Sequence, residues 1–117
     1  MSRLIGELQE RLPVTIESCE YREYSLLISG TGWRFRVSGP WRLINSGMIE
    51  TSSSEELRNG RGGRIDSIRG KSILEIGIQS RVAKLDIVLF LSGGTVLEVF
   101  SESAYDDWLL TLGEMVV

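Results

Sequence analysis

The stretch that decides the fold is residues 26–37, which read LLISGTGWRFRV. Its second half alternates between apolar and basic residues, so Trp33, Phe35 and Val37 face a core while Arg34 and Arg36 face outward. The glycines at its centre supply the positive φ that a tight hairpin turn needs. The stretch therefore predicts two antiparallel strands joined by a short turn.

The same pattern returns 62 positions later, where residues 12–37 align with residues 74–99. Each copy then reaches a tryptophan, Trp41 or Trp108. This agreement predicts an internal repeat at 4–46 and 65–112, joined by a Ser/Gly/Arg-rich connector at 51–64. The alternative is that any two β-hairpins share such spacing. The identical pairs are Leu12/Leu74, Ile16/Ile78, Ser18/Ser80, Leu27/Leu89, Gly32/Gly94 and Val37/Val99.

Short runs of β-branched and aromatic residues between Gly or Ser clusters predict strands throughout the chain. Residues 85–91 are apolar on both faces apart from Asp86, which predicts a central strand covered on both sides. The predicted strands are 14–19, 24–29, 33–38, 41–45, 73–80, 84–91, 95–101 and 108–112.

Helix is scarce in the sequence. Leu4, Ile5 and Leu8 follow one helical stripe, which predicts a short helix over residues 2–10 that Pro13 stops. Residues 53–56 read SSEE and fit a capping box, so they predict a helical turn in the connector. The expected fold class is mainly β, with α+β possible: antiparallel sheets built from two similar β-meander repeats in one domain over residues 1–117.

Composition limits the chemistry. The chain has 117 residues, no histidine and a single cysteine, Cys19. These counts exclude a Ser-His-Asp or Cys-His centre and the common zinc sites, so we expect no catalytic residue, no metal and no cofactor. A lone thiol favours a reducing compartment, and without a secretory signal or a long apolar run we expect a cytoplasmic protein that contacts no membrane.

Charge is distributed unevenly along the chain. Residues 51–84 hold seven basic and four acidic residues, whereas residues 85–117 hold six acidic residues and no basic one. This acidic last third predicts a surface that attracts a basic protein partner. For Trp108 the alternative to partner binding is a place in the core, as the counterpart of Trp41. The predicted partner-binding residues are Glu98, Glu102, Tyr105, Asp106, Asp107 and Trp108.

A basic segment in the middle of the chain offers a different interpretation. Arg58 is followed by a Gly-rich run that continues to Lys71 and carries five basic residues in all. Such a segment could bind nucleic acid, although no aromatic residue is interleaved for base stacking. The favoured interpretation is that this segment is a solvated linker, and nucleic acid is an unlikely partner. A third alternative is a structural domain that forms homodimers through exposed sheet edges.

Two motifs resemble those of a family. The hairpins LISGTGW at 27–33 and LFLSGGTVLEV at 89–99, followed by PWRL at 40–43 and YDDW at 105–108, resemble small bacterial β-rich domains. Genes of this type are sometimes found beside those of secreted polymorphic toxins, which suggests that they encode immunity proteins. The resemblance implies a non-enzymatic protein that binds and neutralises a toxin domain, and it transfers no binding residue. With the charge pattern, it predicts an immunity protein whose acidic C-terminal surface covers a basic toxin domain.

Overall fold

The chain forms an N-terminal α-helix, a 3₁₀ helix and a series of short β-strands. A computed structural model describes residues 2–22, 25–54, 64–81, 84–100, 108–112 and 115–116. The 3₁₀ helix spans Arg64–Ile68. The other elements are α1 (Ser2–Arg11), β1 (Val14–Thr15), β2 (Ser18–Arg22), β3 (Ser25–Gly30), β4 (Trp33–Val37), β5 (Trp41–Asn45), β6 (Met48–Ser52), β7 (Ser72–Arg81), β8 (Lys84–Leu91), β9 (Thr95–Val99), β10 (Trp108–Leu112) and β11 (Met115–Val116).

The strands are arranged in two antiparallel sheets, which confirms the mainly β fold class. Sheet A has the order β1-β7-β8-β9-β5-β6, and sheet B has the order β11-β10-β4-β3-β2. In β4, Trp33, Phe35 and Val37 are buried while Arg34 and Arg36 are exposed, as the alternation predicts. The two sheets therefore share an interior, because their alternate residues turn toward the same core.

One strand of each half of the chain pairs with a strand of the other half. β2, β3 and β4 form a meander in sheet B, and β7, β8 and β9 form another in sheet A. β5 crosses to sheet A, where Trp41 stands opposite Val99, and β10 crosses to sheet B, where Trp108 stands opposite Val37. Tyr21 of sheet B packs edge-on against Trp41, with ring centroids 5.8 Å apart. The halves are thus joined by exchanged strands as well as by the core.

A uniform offset of 62 does not describe how the halves correspond. Leu27 and Leu89 are matched by that offset, yet Leu27 lies beside the exposed Arg36 on the outer face of sheet B and Leu89 lies in the core. Leu12 follows the helix, whereas its match Leu74 is an exposed residue of β7. The halves have similar connectivity, but the duplication itself is not confirmed and stays a prediction.

The predicted strand 14–19 is wrong, because the chain changes sheets within it. β1 pairs with β7 in sheet A, and β2 pairs with β3 in sheet B. At the change, the Ile16 N–H donates to the Lys71 carbonyl and the Glu17 N–H donates to the Ser29 carbonyl. In the sequence, Val14 and Ile16 alternate like residues of one continuous strand. In the structure, the backbone changes its partner strand directly after Ile16.

Two strands were not expected from the sequence. β6 occupies the start of the predicted connector and β11 follows β10 near the C-terminus. The β5–β6 turn places Ser46 at φ 54° and Gly47 at φ 84°, the two positive values of a type I′ hairpin. Ser53 and Ser54 are helical, as the capping box predicts, and residues 55 and 56 lie outside the described part of the chain.

Helix α1 packs at one end of the core and ends just before Pro13, as predicted. Its buried Leu8 lines a small apolar void of about 10 Å³ with residues of both sheets, among them Trp33, Phe35 and Ile76. A void of this size barely admits one water molecule. Among the described residues, no helix is long and apolar enough to cross a membrane.

Candidate functional site

The outer face of sheet A is unusually apolar for a surface that faces solvent. In β9, Leu97 points into the core while its neighbours Val96 and Glu98 point outward. In β8, Leu89 and Leu91 are core residues, so Phe90 between them is directed outward. The same alternation in β5 places Ile44 on the outer face.

These outward residues form a continuous line across four neighbouring strands. Phe90 stands opposite Val96, Val96 opposite Ile44, and Ile44 opposite Ile49. We call Phe90, Val96, Ile44 and Ile49 the apolar row. Phe90 is 39% exposed and Ile49 is 62% exposed, and Ile49 belongs to the outermost strand of the sheet. Residues opposite each other on one face of a sheet are in contact range, so the row is a single patch.

The apolar row corrects the prediction that residues 85–91 are covered on both sides. β8 is an inner strand, as expected, between β7 and β9. Val88 is 3% exposed although it is not part of the core cluster, so it is shielded from the outer side. Phe90, however, reaches solvent. An exposed phenyl ring in the middle of a sheet is a feature typical of interaction surfaces.

An ion pair borders the apolar row on one side. Arg42 donates to the Glu98 carboxylate from the directly opposed position on β5, and the side chains are 43% and 18% exposed. The Arg42 guanidinium also lies 5.3 Å from the ring centroid of Phe100. At the β7 end of the row, Glu75 stands opposite Phe90 and is exposed. The patch therefore has an apolar centre and a charged border, the usual anatomy of a protein interface.

Of the predicted partner-binding residues, the structure describes the Glu98 side chain and the backbone of Trp108. Glu98 lies beside the apolar row, but its charge is neutralised by Arg42 rather than free. Trp108 begins β10, and its side chain lies outside the described part of the structure. Residues 101–107, which include Glu102, Tyr105, Asp106 and Asp107, also lie outside it. The acidic C-terminal surface therefore stays a prediction.

Two basic residues of the predicted nucleic-acid segment are used in the fold. Arg69 donates to the Cys19 carbonyl at 3.1 Å and pairs with Asp66 at 3.3 Å. The Lys71 ammonium donates to the Ser92 carbonyl at 3.4 Å. These contacts join the 3₁₀ helix region to both sheets. Residues 58–63 of the segment lie outside the described residues.

Cys19 has a structural environment. Its side chain is 1% exposed, and the thiol donates to the Ile65 carbonyl at 3.4 Å. A buried thiol in an apolar setting is a poor nucleophile, because the reactive form is the thiolate. Among the described residues, no group of three or more His, Cys, Asp or Glu side chains is placed to hold a metal ion.

Comparison with known proteins gives no relative to guide the assignment: no protein-family model, no curated protein and no solved structure matches the chain. The apolar row is thus interpreted from its own chemistry.

Sequence reasoning did not find the apolar row because its members come from two hairpins that are far apart in the chain, β5–β6 and β8–β9. The alternation in β9 and the tight Ser46-Gly47 turn were visible signals for Val96 and for the β5–β6 hairpin. The pairing of β5 with β9, which joins Ile44 to Val96, is a long-range feature that no local pattern encodes.

Proposed function

We propose that the protein is a non-enzymatic protein-binding module whose partner docks on the outer face of sheet A. The observation that carries this proposal is the apolar row, in which Phe90 and Ile49 are exposed beside the partly covered Val96 and Ile44. Burying such a patch against a complementary surface is favourable by about 25 cal/mol for each Å² of apolar area removed from water. The charged border formed by Arg42, Glu98 and Glu75 would contribute orientation and specificity.

Within this class we favour an immunity protein that binds and neutralises a bacterial toxin domain in the cytoplasm. Three observations support this role: the resemblance of the two hairpin motifs, the six acidic residues of positions 85–117, and the presence of a single cysteine, Cys19, whose thiol is buried. A net charge of −3 would speed the approach of a basic toxin domain.

The direct test uses the C-terminal domain of the protein encoded immediately upstream. We expect the chain to restore growth of cells that express this domain, and to bind it in a titration. Val96→Glu places a charge at the centre of the apolar row and should weaken binding at least thirtyfold, the effect of losing one central hot-spot contact.

A matched variant on the opposite sheet controls for general effects of added charge. Leu27→Glu introduces the same charge at a partly buried outer position of sheet B, and it should leave both binding and growth rescue unchanged. Thermal unfolding of both variants checks that they remain folded. No binding and no rescue by the wild type would refute the immunity role. Equal binding by the wild type and Val96→Glu would refute the docking surface.

Self-association is a second candidate that one observation favours. The apolar row ends on β6, the outermost strand of sheet A, where Met48 is 75% exposed and Ile49 is 62% exposed. If two copies meet there, light scattering over a concentration series should show a dimer that Ile49→Glu returns to monomer. A concentration-independent monomer would remove this candidate and leave the binding proposal intact.

A further inference from the structure

Two arginines on the outer face of sheet B differ from the other described arginines. Arg34 and Arg36 are exposed on β4 and make no ion pair or hydrogen bond with any described residue. Alternation along a strand directs both guanidinium groups to one face, where like charges repel. The other arginines with described side chains have partners, namely Arg11 with the Gly32 carbonyl, Arg22 with Glu20, Arg42 with Glu98, and Arg69 with Asp66.

The two arginines share an open groove. Its volume is about 350 Å³, and it is lined by Leu27, Arg34, Arg36 and Thr111. This volume is enough to admit a small organic anion. None of the described residues that line the groove is acidic, and Glu20, which stands opposite Leu27 on β2, is paired with Arg22. The two guanidinium groups therefore favour an anion in the groove.

The groove has a polar end and an apolar end. Arg34 stands between Ser29 of β3 and Thr111 of β10, so hydroxyl residues flank it on both sides. Arg36 stands opposite Leu27, a partly buried leucine. A ligand with an anionic group at one end and an apolar group at the other would therefore match the groove along its length.

We infer that this groove binds a small organic phosphate, a phosphomonoester that carries an apolar group. The phosphate would receive hydrogen bonds from the guanidinium groups of Arg34 and Arg36 and from the Thr111 hydroxyl. Arginine matches phosphate well because its planar fork donates two parallel hydrogen bonds. The apolar group would cover Leu27. A phosphomonoester fits better than a carboxylate, since its extra oxygen and second negative charge can use the second arginine and the hydroxyl.

This site is independent of the proposed partner surface. The apolar row lies on sheet A and the groove lies on sheet B. A partner that binds sheet A would leave the groove unchanged, and loss of anion binding would not affect the partner. The two proposals can therefore fail separately.

Three probes identify the ligand class. The full chain is titrated with phenyl phosphate, inorganic phosphate and benzoate while amide chemical shifts are recorded. We expect phenyl phosphate to shift the signals of Leu27, Arg34, Arg36 and Thr111, with an affinity at least fivefold above that of either other probe. Shifts at these residues with benzoate as tight as phenyl phosphate would overturn the phosphate assignment. Tighter binding of a short single-stranded oligonucleotide at the same residues would overturn the small-molecule assignment.

Variants at the groove distinguish specific binding in the groove from nonspecific attraction of an anion to surface arginines. Arg34→Gln and Arg36→Gln should each weaken phenyl phosphate about tenfold, the effect of losing one charge-assisted hydrogen bond. Leu27→Ser should weaken phenyl phosphate but leave inorganic phosphate unchanged. The matched control is Arg22→Gln, which removes an exposed arginine of the same sheet that pairs with Glu20. An equal loss with Arg22→Gln, or no shift at any groove residue with folded protein, would refute the site.

Discussion

Replacing Gly30 by alanine should destabilise the protein although the change adds a single methyl group. Gly30 ends β3 opposite Trp33, at a place where β1 passes close to sheet B. A Cβ atom added there would lie 2.5 Å from the Trp33 Nε1 atom and closer still to the Thr15 carbonyl oxygen. Both approaches are well inside van der Waals contact, so the backbone of β1 or the Trp33 ring must move.

The expected cost follows from two opposing effects. Forcing an extra methyl group into a packed site costs about 1–3 kcal/mol, and the upper part of that range applies because a carbonyl oxygen cannot rotate away as a side chain can. Alanine recovers roughly 0.5–1 kcal/mol, because it restricts the unfolded chain more than glycine does. The free energy of unfolding should therefore fall by about 2 kcal/mol. In a domain of 117 residues this corresponds to a melting temperature lower by about 8 °C.

Urea unfolding followed by tryptophan fluorescence measures this loss, and Gly77→Ala is the matched control. Gly77 lies inside β7, where an added Cβ would meet Phe90 at 3.4 Å, an ordinary contact distance. Gly77→Ala should leave the free energy of unfolding unchanged or raise it by up to about 1 kcal/mol. If Gly30→Ala is as stable as the wild type, or if the two variants lose equal stability, the close approach at Gly30 does not decide the effect.

Three further changes test the core and the surface. Thr95→Val should raise the free energy of unfolding by about 1 kcal/mol in urea titrations, because the buried Thr95 hydroxyl has no hydrogen-bond partner among the described residues. A loss of stability would contradict this prediction. Leu8→Ala should lower the free energy of unfolding by roughly 3 kcal/mol in calorimetry, since the substitution enlarges an existing void. A change below about 1 kcal/mol would show that α1 packs only weakly on the core. A double-mutant cycle on Arg42 and Glu98 should give a coupling free energy of about 0.5 kcal/mol, because the Arg42 side chain is 43% exposed. This coupling should disappear in roughly 1 M salt. A coupling that does not depend on salt would contradict the prediction.

Local patterns predicted the strands that alternate and missed those whose identity depends on distant partners. Alternation in Trp33–Val37 gave β4 and its inward residues correctly. The run at 14–19 predicted one strand where there are two, because the backbone bonds to Lys71 at Ile16 and to Ser29 of sheet B at Glu17. β6 was missed since its serine and threonine content is typical of a loop, and β11 is only two residues long.

The site depended on information that the sequence does not display. Acidic residues of positions 85–117 suggested a charged surface, but the position of Arg42 opposite Glu98 follows from pairing between strands 56 residues apart. The groove on sheet B likewise needs Thr111 beside Arg34, which requires β10 to cross between sheets. The outward direction of Arg34 and Arg36 was predicted, but their lack of a partner among the described residues was not.

The exchange of β5 and β10 makes each half of the chain incomplete without the other. A fragment ending at Ser52 would leave β4 without β10 and β5 without β9, and a fragment beginning at Arg64 would leave β9 and β10 with the matching open edges. Neither piece can close its own sheet, so a cleaved chain should recover its structure only when both pieces are mixed. On the ribosome, sheet A cannot be completed until β9 has been synthesised, and β4 has no partner on its open side until β10 follows.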